Sequence, residues 1–530
     1  MRRSLRSFGA SAIVAAMALV AAACGGDDAG TATDATVDSG VKSGVQEQLG
    51  GTATTTAEAP QDAPTTMEEW EALWAEERAA IVERIQSEGL GVSADGATLT
   101  GPEGFTIDLS ACPAGWSATE GLTPAEIKVG HTTALSGTLA DYGNIAKAMQ
   151  AVFGYYNDEG VFTDSTGANR KITLIVKDDG YDAARTIPLV DELIDSEKVF
   201  AMWTLGSPNT LKTYDKLNQR CIPQPLSMTG HPAWGDPVNH PWTTGMQLAY
   251  NTEGVLLGSF IESKIDELGG KVKVASLVLN NDGGKAWDSG LKAFIAQSPR
   301  AADIEYVSET IEPQAPTVKD PMTTLGAQNP NVFIGMVAGT FCTQIITEAA
   351  ENGMKESVDY LFQPSVCKAA SFVGKDKVGG DGSVSDGWWI VGGGVKDFNA
   401  DANSDDPFIA WGRDLLAEAG HDYKTSGSFG SGFAFAWPFV QALRIAGELE
   451  GGLTRPNFIL ALRSLDMTNP NTLPGVNFNM NGNADPYLVE GSDIAQYDSE
   501  AQAWVPDGSI IELSGKSQPC VFDQAAAICG

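Results

Sequence analysis

The sequence predicts an α/β fold of two lobes, each built from a parallel sheet with helices on both faces. Two observations carry this prediction: from Glu126 onward short apolar strands alternate with amphipathic helices, and the alternating series occurs twice. Such alternation is typical of parallel sheets that are covered on both faces. Strands are expected at residues 127–131, 172–177, 199–203, 272–279 and 332–337, and helices at residues 144–159, 183–196, 209–219, 252–268 and 343–353. Because open parallel sheets bind ligands beyond the carboxyl ends of their strands, a site is expected there.

The chain begins with a predicted secretory signal over residues 1–23. Arginines near the start are followed by an apolar stretch at residues 10–20 and by small residues that end at Cys24. This stretch is too short for a stable membrane span, which favours a cleaved signal over an N-terminal anchor helix. The sequence AAAC followed by GGDD resembles a bacterial lipoprotein signal. The resemblance implies that Cys24 is lipidated and that the mature protein is anchored at the outer face of the cell membrane.

Two N-terminal segments precede the alternating region. Residues 24–64 are mostly Gly, Ala, Thr, Asp and Ser, and they are predicted to form a disordered, flexible tether because they cannot offset their own ordering entropy. A helix follows, in which Thr66 and Glu69 form a capping box and Trp70 and Trp74 lie on one apolar face. Residues 65–125 are therefore predicted to be a helical appendage packed on the main body.

Six cysteines remain besides Cys24, and an even number in an exported chain favours disulfides. Six cysteines allow fifteen pairings, and the sequence alone does not choose among them. Proximity along the chain favours the first two of the following pairs and leaves the third by elimination: Cys520 with Cys529, Cys342 with Cys367, and Cys112 with Cys221. Metal binding is the alternative, but no CxxC pair or histidine-rich cluster occurs, so no metal is expected.

Charge and motif content narrow the possible functions. The chain carries 34 Lys and Arg against 68 Asp and Glu, and its formal net charge of −34 disfavours binding to nucleic acids and polybasic docking on membranes. Signatures of catalysis and cofactor binding are missing: GxSxG, GxxxxGK and HExxH do not occur, and no GxGxxG follows a strand. An uncharacterised catalytic site could use His131 or His231, although each is more often a packed or surface residue. We therefore expect no cofactor and no enzymatic activity.

A series of motifs from Glu126 onward follows a recognisable order. It runs IKVGHTTALSGTLADYG (127–143), YYNDEGV (155–161), KITLIVKDDGYD (171–182), FAMWTLGSPNT (200–210), CIPQPLSMTGHP (221–232), VASLVLNNDGGKAWDSG (274–290), NPNVFIGMVAGTFCTQIITEAAENGM (329–354) and NFNMNGNADPY (477–487). In this order the motifs resemble solute-binding proteins of the leucine/isoleucine/valine type, which serve ABC importers. The resemblance covers about residues 126–510.

This resemblance implies a fold and a function. The fold is a type I periplasmic-binding-protein clamp, in which two Rossmann-like lobes are joined by a hinge that the chain crosses three times and close over a small molecule. Lobe 1 is expected at residues 126–245 and 390–490, and lobe 2 at residues 246–389 and 491–530. The implied function is capture of an amino acid, or of another carboxylate or amide-like solute, and its delivery to a membrane permease. The alternatives are a ligand-sensing receptor, an extracellular hydrolase, or a cell-wall attachment protein, the last suggested by residues 65–125.

The resemblance also implies the residues that contact the ligand. They are Tyr142, Ser207, Thr229, Gly230, Trp287 and Ser365. Tyr142 would cover the ligand from the first loop, and Trp287 would close on it from lobe 2. Ser207 begins a helix, where unpaired N–H groups and a favourable dipole hold a carboxylate, and the loop at Thr229 completes that site.

Ser365 is a departure from the pattern of the amino-acid binders. Those proteins usually place an acidic residue there to pair with the ligand ammonium, and an unpaired buried ammonium is costly. Either the ligand lacks an α-ammonium, or another acid such as Asp282 substitutes. Trp203, Trp234 and Trp287 also suggest an aromatic solute.

Overall fold

A computed structural model describes residues 37–50, 63–523 and 528–529. The predicted secretory signal, Cys24 and most of the predicted tether lie outside these residues. The strands in chain order are β1 (Gly91–Val92), β2 (Thr98–Thr100), β3 (Thr106–Asp108), β4 (Glu126–Thr133), β5 (Lys171–Asp178), β6 (Ala201–Thr204), β7 (Gln224–Ser227), β8 (Thr243–Gly245), β9 (Val272–Leu279), β10 (Ile304–Ile311), β11 (Val332–Met336), β12 (Tyr360–Gln363), β13 (Trp389–Val391), β14 (Ile494–Asp498), β15 (Ala503–Pro506), β16 (Phe522–Asp523) and β17 (Ile528–Cys529). The α-helices are α1 (Ser39–Gly50), α2 (Met67–Ser87), α3 (Gly143–Glu159), α4 (Ala183–Asp191), α5 (Ser207–Gln219), α6 (Tyr250–Lys264), α7 (Asp282–Gln297), α8 (Lys319–Gly326), α9 (Phe341–Glu351), α10 (Met354–Ser357), α11 (Ala370–Val373), α12 (Lys375–Val378), α13 (Pro407–Glu418), α14 (Ser428–Glu448) and α15 (Arg455–Arg463).

Two mainly parallel sheets form the cores of the two lobes. In lobe 1 the order is β5-β4-β6, with β4 parallel to both neighbours, and a parallel bridge from Leu205 to Met228 continues the sheet toward β7 and β8. In lobe 2 seven strands lie in the order β10-β9-β11-β12-β13-β14-β15, parallel as far as β13 and antiparallel at β14 and β15. Every residue of β6 and β11 is buried, as expected for strands with helices on both faces. The predicted two-lobed α/β fold is confirmed.

The strand order places a crevice at the carboxyl ends of the strands in each sheet. In each lobe the first strand pairs with the next on one side and with a later strand on the other, so the loops that follow β4 and β6, and those that follow β9 and β11, leave in opposite directions. Such switch points of parallel sheets are where ligands bind. Both crevices open on the same cleft between the lobes, because residues from all four of these loops line the chambers described below.

Three chain crossings join the lobes. They follow β8, follow β13 and precede β14, and the second and third run side by side, since Gly392 N donates to Asp493 O at 2.9 Å. The C-terminal segment adds a further crossing. Ile511 lies in the core of lobe 2, whereas Cys520 N donates to Gly235 O at 2.7 Å in lobe 1.

The expectation that residues 491–530 all belong to lobe 2 is therefore wrong for the C-terminal segment. Phe522 packs in one apolar cluster with Trp234 and Tyr214 of lobe 1. The physical reason is that this face of lobe 1 carries aromatic side chains that the segment after residue 513 covers.

Helix α2 packs its aromatic face on lobe 1. Thr66 caps the helix by accepting from Glu69 N at 3.2 Å. The rings of Trp70 and Trp74 stack 5.3 Å apart, and Trp74 contacts Trp437 of α14 at the same centroid distance. The Trp74 indole also donates to Thr468 O at 3.0 Å. Burying a stripe of large aromatic rings holds this helix on the body of lobe 1.

Helix α1 corrects the prediction for residues 24–64. Within that range residues 39–50 are helical and pack on α6 of lobe 2, with Val37, Val41 and Val45 buried. The Gln48 side chain donates to Glu512 O at 2.8 Å. The tether prediction failed over this stretch because it counted few large apolar residues and missed that the valines recur every four positions on one helix face.

The three predicted disulfides are formed. The Cα atoms are 5.7 Å apart in Cys112–Cys221, 5.5 Å in Cys342–Cys367 and 4.9 Å in Cys520–Cys529. The first of these ties the segment after β3 to lobe 1. Over the described ranges, no helix has both the length and the apolar character that a membrane crossing needs.

Candidate functional site

The cleft between the lobes holds two connected chambers. The first, which we call the polar chamber, is lined among others by Tyr142, Ser207, Thr229, Tyr250, Asn281 and Gly283. The second, the apolar chamber, is lined among others by Met246, Phe372, Phe398, Phe435, Phe478 and Val489. The residues common to both linings are Tyr142, Gln247, Val366, Ser431 and Phe435. With the space at their mouths included, the void volumes are about 710 and 1120 Å³, which suits a small organic ligand.

Hydroxyl groups at the start of α5 form the wall of the polar chamber on lobe 1. Ser207 is the first residue of α5, follows Gly206, and lies 2.5 Å from the Thr229 hydroxyl through its own Oγ. Thr229 Oγ1 in turn donates to Tyr250 Oη at 3.5 Å. Thr229 then accepts from Ser207, and the Tyr250 O–H is left to donate to a group in the chamber. Since the first N–H groups of a helix have no intrahelical partner, α5 offers backbone donors as well.

The start of α7 forms the opposite wall, on lobe 2. Asn281 caps this helix, because its Oδ1 accepts from Gly284 N at 2.9 Å. A Cβ at Gly283 would stand 2.9 Å from Ser207 Oγ and 3.0 Å from the Tyr250 ring. Only glycine allows the two helix starts to approach this closely across the cleft.

Tyr181 closes one side of the polar chamber. It lies in the turn after β5 with φ 61°, and its backbone N–H donates to Asp179 Oδ1 at 2.9 Å. Its ring covers Gly206, where a Cβ would stand 2.5 Å from the ring. Gly206 also has φ 85°, so both backbone conformation and space require glycine before Ser207.

The polar chamber has hydrogen-bond donors but no formal charge in its wall. Among the described residues that line it, none is Asp, Glu, Lys or Arg. Burial raises the pKa of Tyr142 and the pKa of Tyr250, so both phenols stay neutral donors at physiological pH. The chamber can therefore hold an anion by hydrogen bonds and a helix dipole, and it offers no counter-ion to a cation.

Ser365 faces the apolar chamber and holds a buried acid behind it. Its backbone N–H and its hydroxyl donate to the two carboxyl oxygens of Glu253, at 3.2 and 2.7 Å. Glu253 is fully buried on α6, and burial raises its pKa to about 7. Ser365 thus lies between this carboxyl group and the ligand space.

A buried ion pair fixes the hinge beside the apolar chamber. Lys368 of lobe 2 donates to Asp493 Oδ2 at 2.7 Å and to Val395 O at 2.6 Å. Asp493 lies on the third crossing and Val395 on the second. One side chain therefore ties both crossings to lobe 2.

The structure brings together four of the six implied ligand residues. Tyr142, Ser207 and Thr229 line the polar chamber, and Tyr142 and Ser365 line the apolar one. Gly230 is beside Thr229, and its carbonyl accepts from Tyr250 N at 2.7 Å, so it positions Tyr250 rather than lining the space.

The expected role of Trp287 as a ligand contact is wrong. Its side chain is fully buried in the core of lobe 2, on the face of α7 that packs against α6. Trp203 is likewise in the core of lobe 1, 4.5 Å from Phe439 between ring centroids, and Asp282 lines neither chamber. Trp287 is four residues after Gly283 and so lies on nearly the same face of α7, but one turn farther from the cleft, where α6 covers the ring and encloses it in the core.

Sequence reasoning missed Tyr181, Tyr250 and Gly283 in the polar chamber. The signal for all three was available: each lies within a few residues of a predicted strand end or at the start of a predicted helix, where ligand contacts concentrate. Gly283 was also marked by its position two residues after an Asn cap.

The comparisons with known proteins agree on one family. The model of the periplasmic binding protein family matches residues 126–500. Among curated proteins, none matches this chain.

Solved structures with the same fold include three transport receptors. A branched-chain amino acid ABC transporter protein from Thermus thermophilus with bound valine is 17% identical, with a TM-score of 0.59, and the match covers 77% of this chain and 98% of that one. A fatty acid ABC transporter substrate-binding protein from Thermomonospora curvata is 20% identical, with a TM-score of 0.58 and coverage of 76% and 96%. A solute-binding protein of an ABC transporter from Rhodopseudomonas palustris, in complex with 3,4-dihydroxybenzoic acid, is 18% identical, with a TM-score of 0.58 and coverage of 72% and 96%. The predicted resemblance is confirmed, and the chain belongs to the periplasmic binding protein family.

Proposed function

We propose that this protein is the extracytoplasmic receptor of an ABC importer for a small carboxylate that lacks an α-ammonium group. It captures the solute between its lobes and delivers it to a permease, and the lipidated Cys24 anchors it to the outer face of the membrane. The observation that supports this most directly is the polar chamber, whose described lining has donors and no charged side chain, joined to the larger apolar chamber.

The polar chamber suits a carboxylate. The first turn of α5 offers backbone N–H groups, and the Tyr250 O–H, which the Ser207 and Thr229 hydroxyls leave free to donate, adds a further donor. An anion at a helix start gains from these unpaired donors and from the helix dipole. The lobes also meet over this space, since the Thr138 hydroxyl of lobe 1 donates to Pro313 O of lobe 2 at 3.1 Å.

The same chamber does not suit the ammonium group of an amino acid. Among the described residues that line the two chambers the one acid is Asp397, which lies in the apolar chamber and already accepts backbone N–H groups with both oxygens. Glu253 lies behind Ser365, and its raised pKa keeps it partly neutral near pH 7. A buried ammonium without an anionic partner would cost several kcal/mol. The apolar chamber next to it accommodates a hydrocarbon or aromatic portion. A carboxylate of this kind is closer in chemistry to the acids named for the fatty acid and dihydroxybenzoic acid receptors than to valine.

The proposal predicts a set of affinities. Calorimetry should show micromolar or tighter binding of an alkyl or aryl-alkyl monocarboxylate, and no comparable binding of leucine or valine. Ser207→Val and Thr229→Val should each weaken binding of the acid roughly 10- to 100-fold, because each breaks the chain of hydroxyls that leaves the Tyr250 O–H to donate to the carboxylate in a buried site.

Thr323→Val is the matched control for these variants. Thr323 is exposed on α8 and lines neither chamber, and among the described residues its hydroxyl donates only to Lys319 O of its own helix. This variant should bind as the unchanged protein does. Micromolar leucine or valine binding that Ser207→Val abolishes would contradict the proposed exclusion of amino acids.

A further inference from the structure

An unpaired amide oxygen marks one corner of the apolar chamber. Asn399 lines this chamber and is 6% exposed. Its Nδ2 donates to the carbonyl oxygens of Tyr423 and Ser426, the latter at 3.3 Å. Because carbonyl oxygens only accept, these two bonds fix which end of the amide is the NH₂ group. Asn399 Oδ1 is thereby left without a hydrogen-bond partner among the residues that the structure describes.

A second unpaired oxygen lies at the same corner. Ser371 is buried on α11, and its Oγ also has no partner in the described part of the chain. Ser371 is not itself in the chamber lining, but a Cβ at the chamber-lining Gly427 would overlap the Ala369 Cβ. It would also stand 2.9 Å from Ser371 Oγ and 3.6 Å from Asn399 Oδ1, so both oxygens lie beside this glycine. One oxygen accepts only, and the other can donate. Leaving both unsatisfied costs on the order of 1–3 kcal/mol for each group.

The charged groups near this corner already have hydrogen-bond partners. Lys368 binds Asp493, and Lys396 donates to Asp406 Oδ2 at 2.6 Å. Both oxygens of Asp397 accept backbone N–H groups, from Asn399 at 2.9 Å and from Ala370 at 2.8 Å. An anionic ligand end would find no free cation, and both oxygens of Asp397 are already engaged, whereas a neutral group that both donates and accepts would satisfy the two unpaired oxygens.

Helix α14 connects this corner to the polar chamber. Gly427 precedes the helix, Ser431 and Phe435 line both chambers, and all three residues are four positions apart. At 1.5 Å per residue, the corner lies about one helical turn, roughly 6 Å, beyond the wall that the two chambers share. A single elongated ligand can therefore reach from one to the other.

We propose that Asn399 and Ser371 form a hydroxyl-binding subsite, and that the solute is a carboxylate with a hydroxyl group at its opposite end. The ligand O–H donates to Asn399 Oδ1, and the ligand oxygen accepts from the Ser371 hydroxyl. This inference rests on the proposed function and adds the chemistry of the distal end of the ligand.

Two matched pairs of acids test the subsite on the full chain by calorimetry. They are octanoate with 8-hydroxyoctanoate, and 3-phenylpropanoate with 3-(4-hydroxyphenyl)propanoate. The unchanged protein should bind the hydroxylated member of at least one pair about tenfold more tightly. Ser371→Ala, which removes no hydrogen bond that the structure contains, should reduce this preference to about threefold or less, and Asn399→Leu should abolish it.

Ser431→Ala is the matched control, because Ser431 lines both chambers away from this corner. It should keep the tenfold preference whatever it does to overall affinity. Thermal unfolding of Asn399→Leu checks that loss of the hydrogen bonds to residues 423 and 426 has not unfolded the protein. If this variant is unfolded, the binding preference of Ser371→Ala tests the subsite instead.

Equal binding of both members in each pair, as expected if the corner holds only water, would overturn this inference and leave the proposed function in place. A preference that survives in both Ser371→Ala and Asn399→Leu would overturn it as well. Binding of none of the four acids would overturn the proposed function together with this inference.

Discussion

Replacing Lys368 with methionine should lower the free energy of unfolding by about 3–5 kcal/mol, because it leaves a buried carboxylate without its cation. Asp493 is 3% exposed, and within the described ranges its carboxyl group has one donor besides Lys368, the backbone N–H of Gly394 at 3.1 Å. Val395 O loses its partner at the same time. Chemical denaturation followed by fluorescence would measure the shift in midpoint.

Two controls separate the buried charge from the loss of a lysine in general. Lys424 pairs with Asp401 at the surface, and Lys424→Met should cost less than about 1 kcal/mol. The double variant Lys368→Met with Asp493→Leu should recover much of the loss, because two apolar side chains replace the pair without leaving a charge. Equal costs for Lys368→Met and Lys424→Met would show that the hinge pair contributes no more than a surface pair.

Raising the pH from 4.5 to 8 should destabilise the protein through Glu253. The unfolded carboxyl group releases its proton near the usual pKa of 4.5, whereas the buried one holds it to a pKa of about 7. The folded state therefore binds more protons in this window, so the stabilisation is complete below pH 4.5 and is lost as the pH rises through 7. The loss is on the order of 3 kcal/mol. Unfolding midpoints measured across the window would show a falling slope.

Glu253→Gln should make that slope shallower. Its amide still accepts from Ser365 N and no longer titrates, so the variant should be the more stable protein above pH 7. Part of the slope should remain, because burial also raises the pKa of Asp397 to about 6 and that of Glu490 to about 8. The exposed Glu356→Gln should leave the slope as it is, and an unchanged slope in Glu253→Gln would contradict the assignment.

The strands and helices that are defined by a local pattern of apolar residues could be predicted from the sequence. The five expected strands are short apolar runs with amphipathic helices between them, and each of them is present. Strand β13 has only three residues and is defined by its pairing with β12 and with β14, more than a hundred residues later. No local sequence pattern predicts such a strand, because it is defined by its long-range pairing alone.

Some residues of the candidate site could likewise be predicted from the sequence, and others could not. Ser207 and Thr229 follow strand ends, and the chemistry of a helix start could be inferred from the residues alone. Trp287 was misassigned because an aromatic residue near a cleft helix fits a core position equally well, and only the packing of α6 over that turn of α7 distinguishes the two. Lys368 was not foreseen, since its partners lie on two later crossings that the fold brings together.

The facing starts of α5 and α7 have one more consequence. Each helix presents roughly half a positive charge at its first turn, and Ser207 and Gly283 bring these two like poles together. Asp282 compensates only its own helix. Repulsion between the two helix starts would therefore favour an open form of the protein without ligand. A bound anion would interact favourably with both helix starts and would stabilise the closed form. On the proposed function, the closed shape would then distinguish a loaded receptor from an empty one.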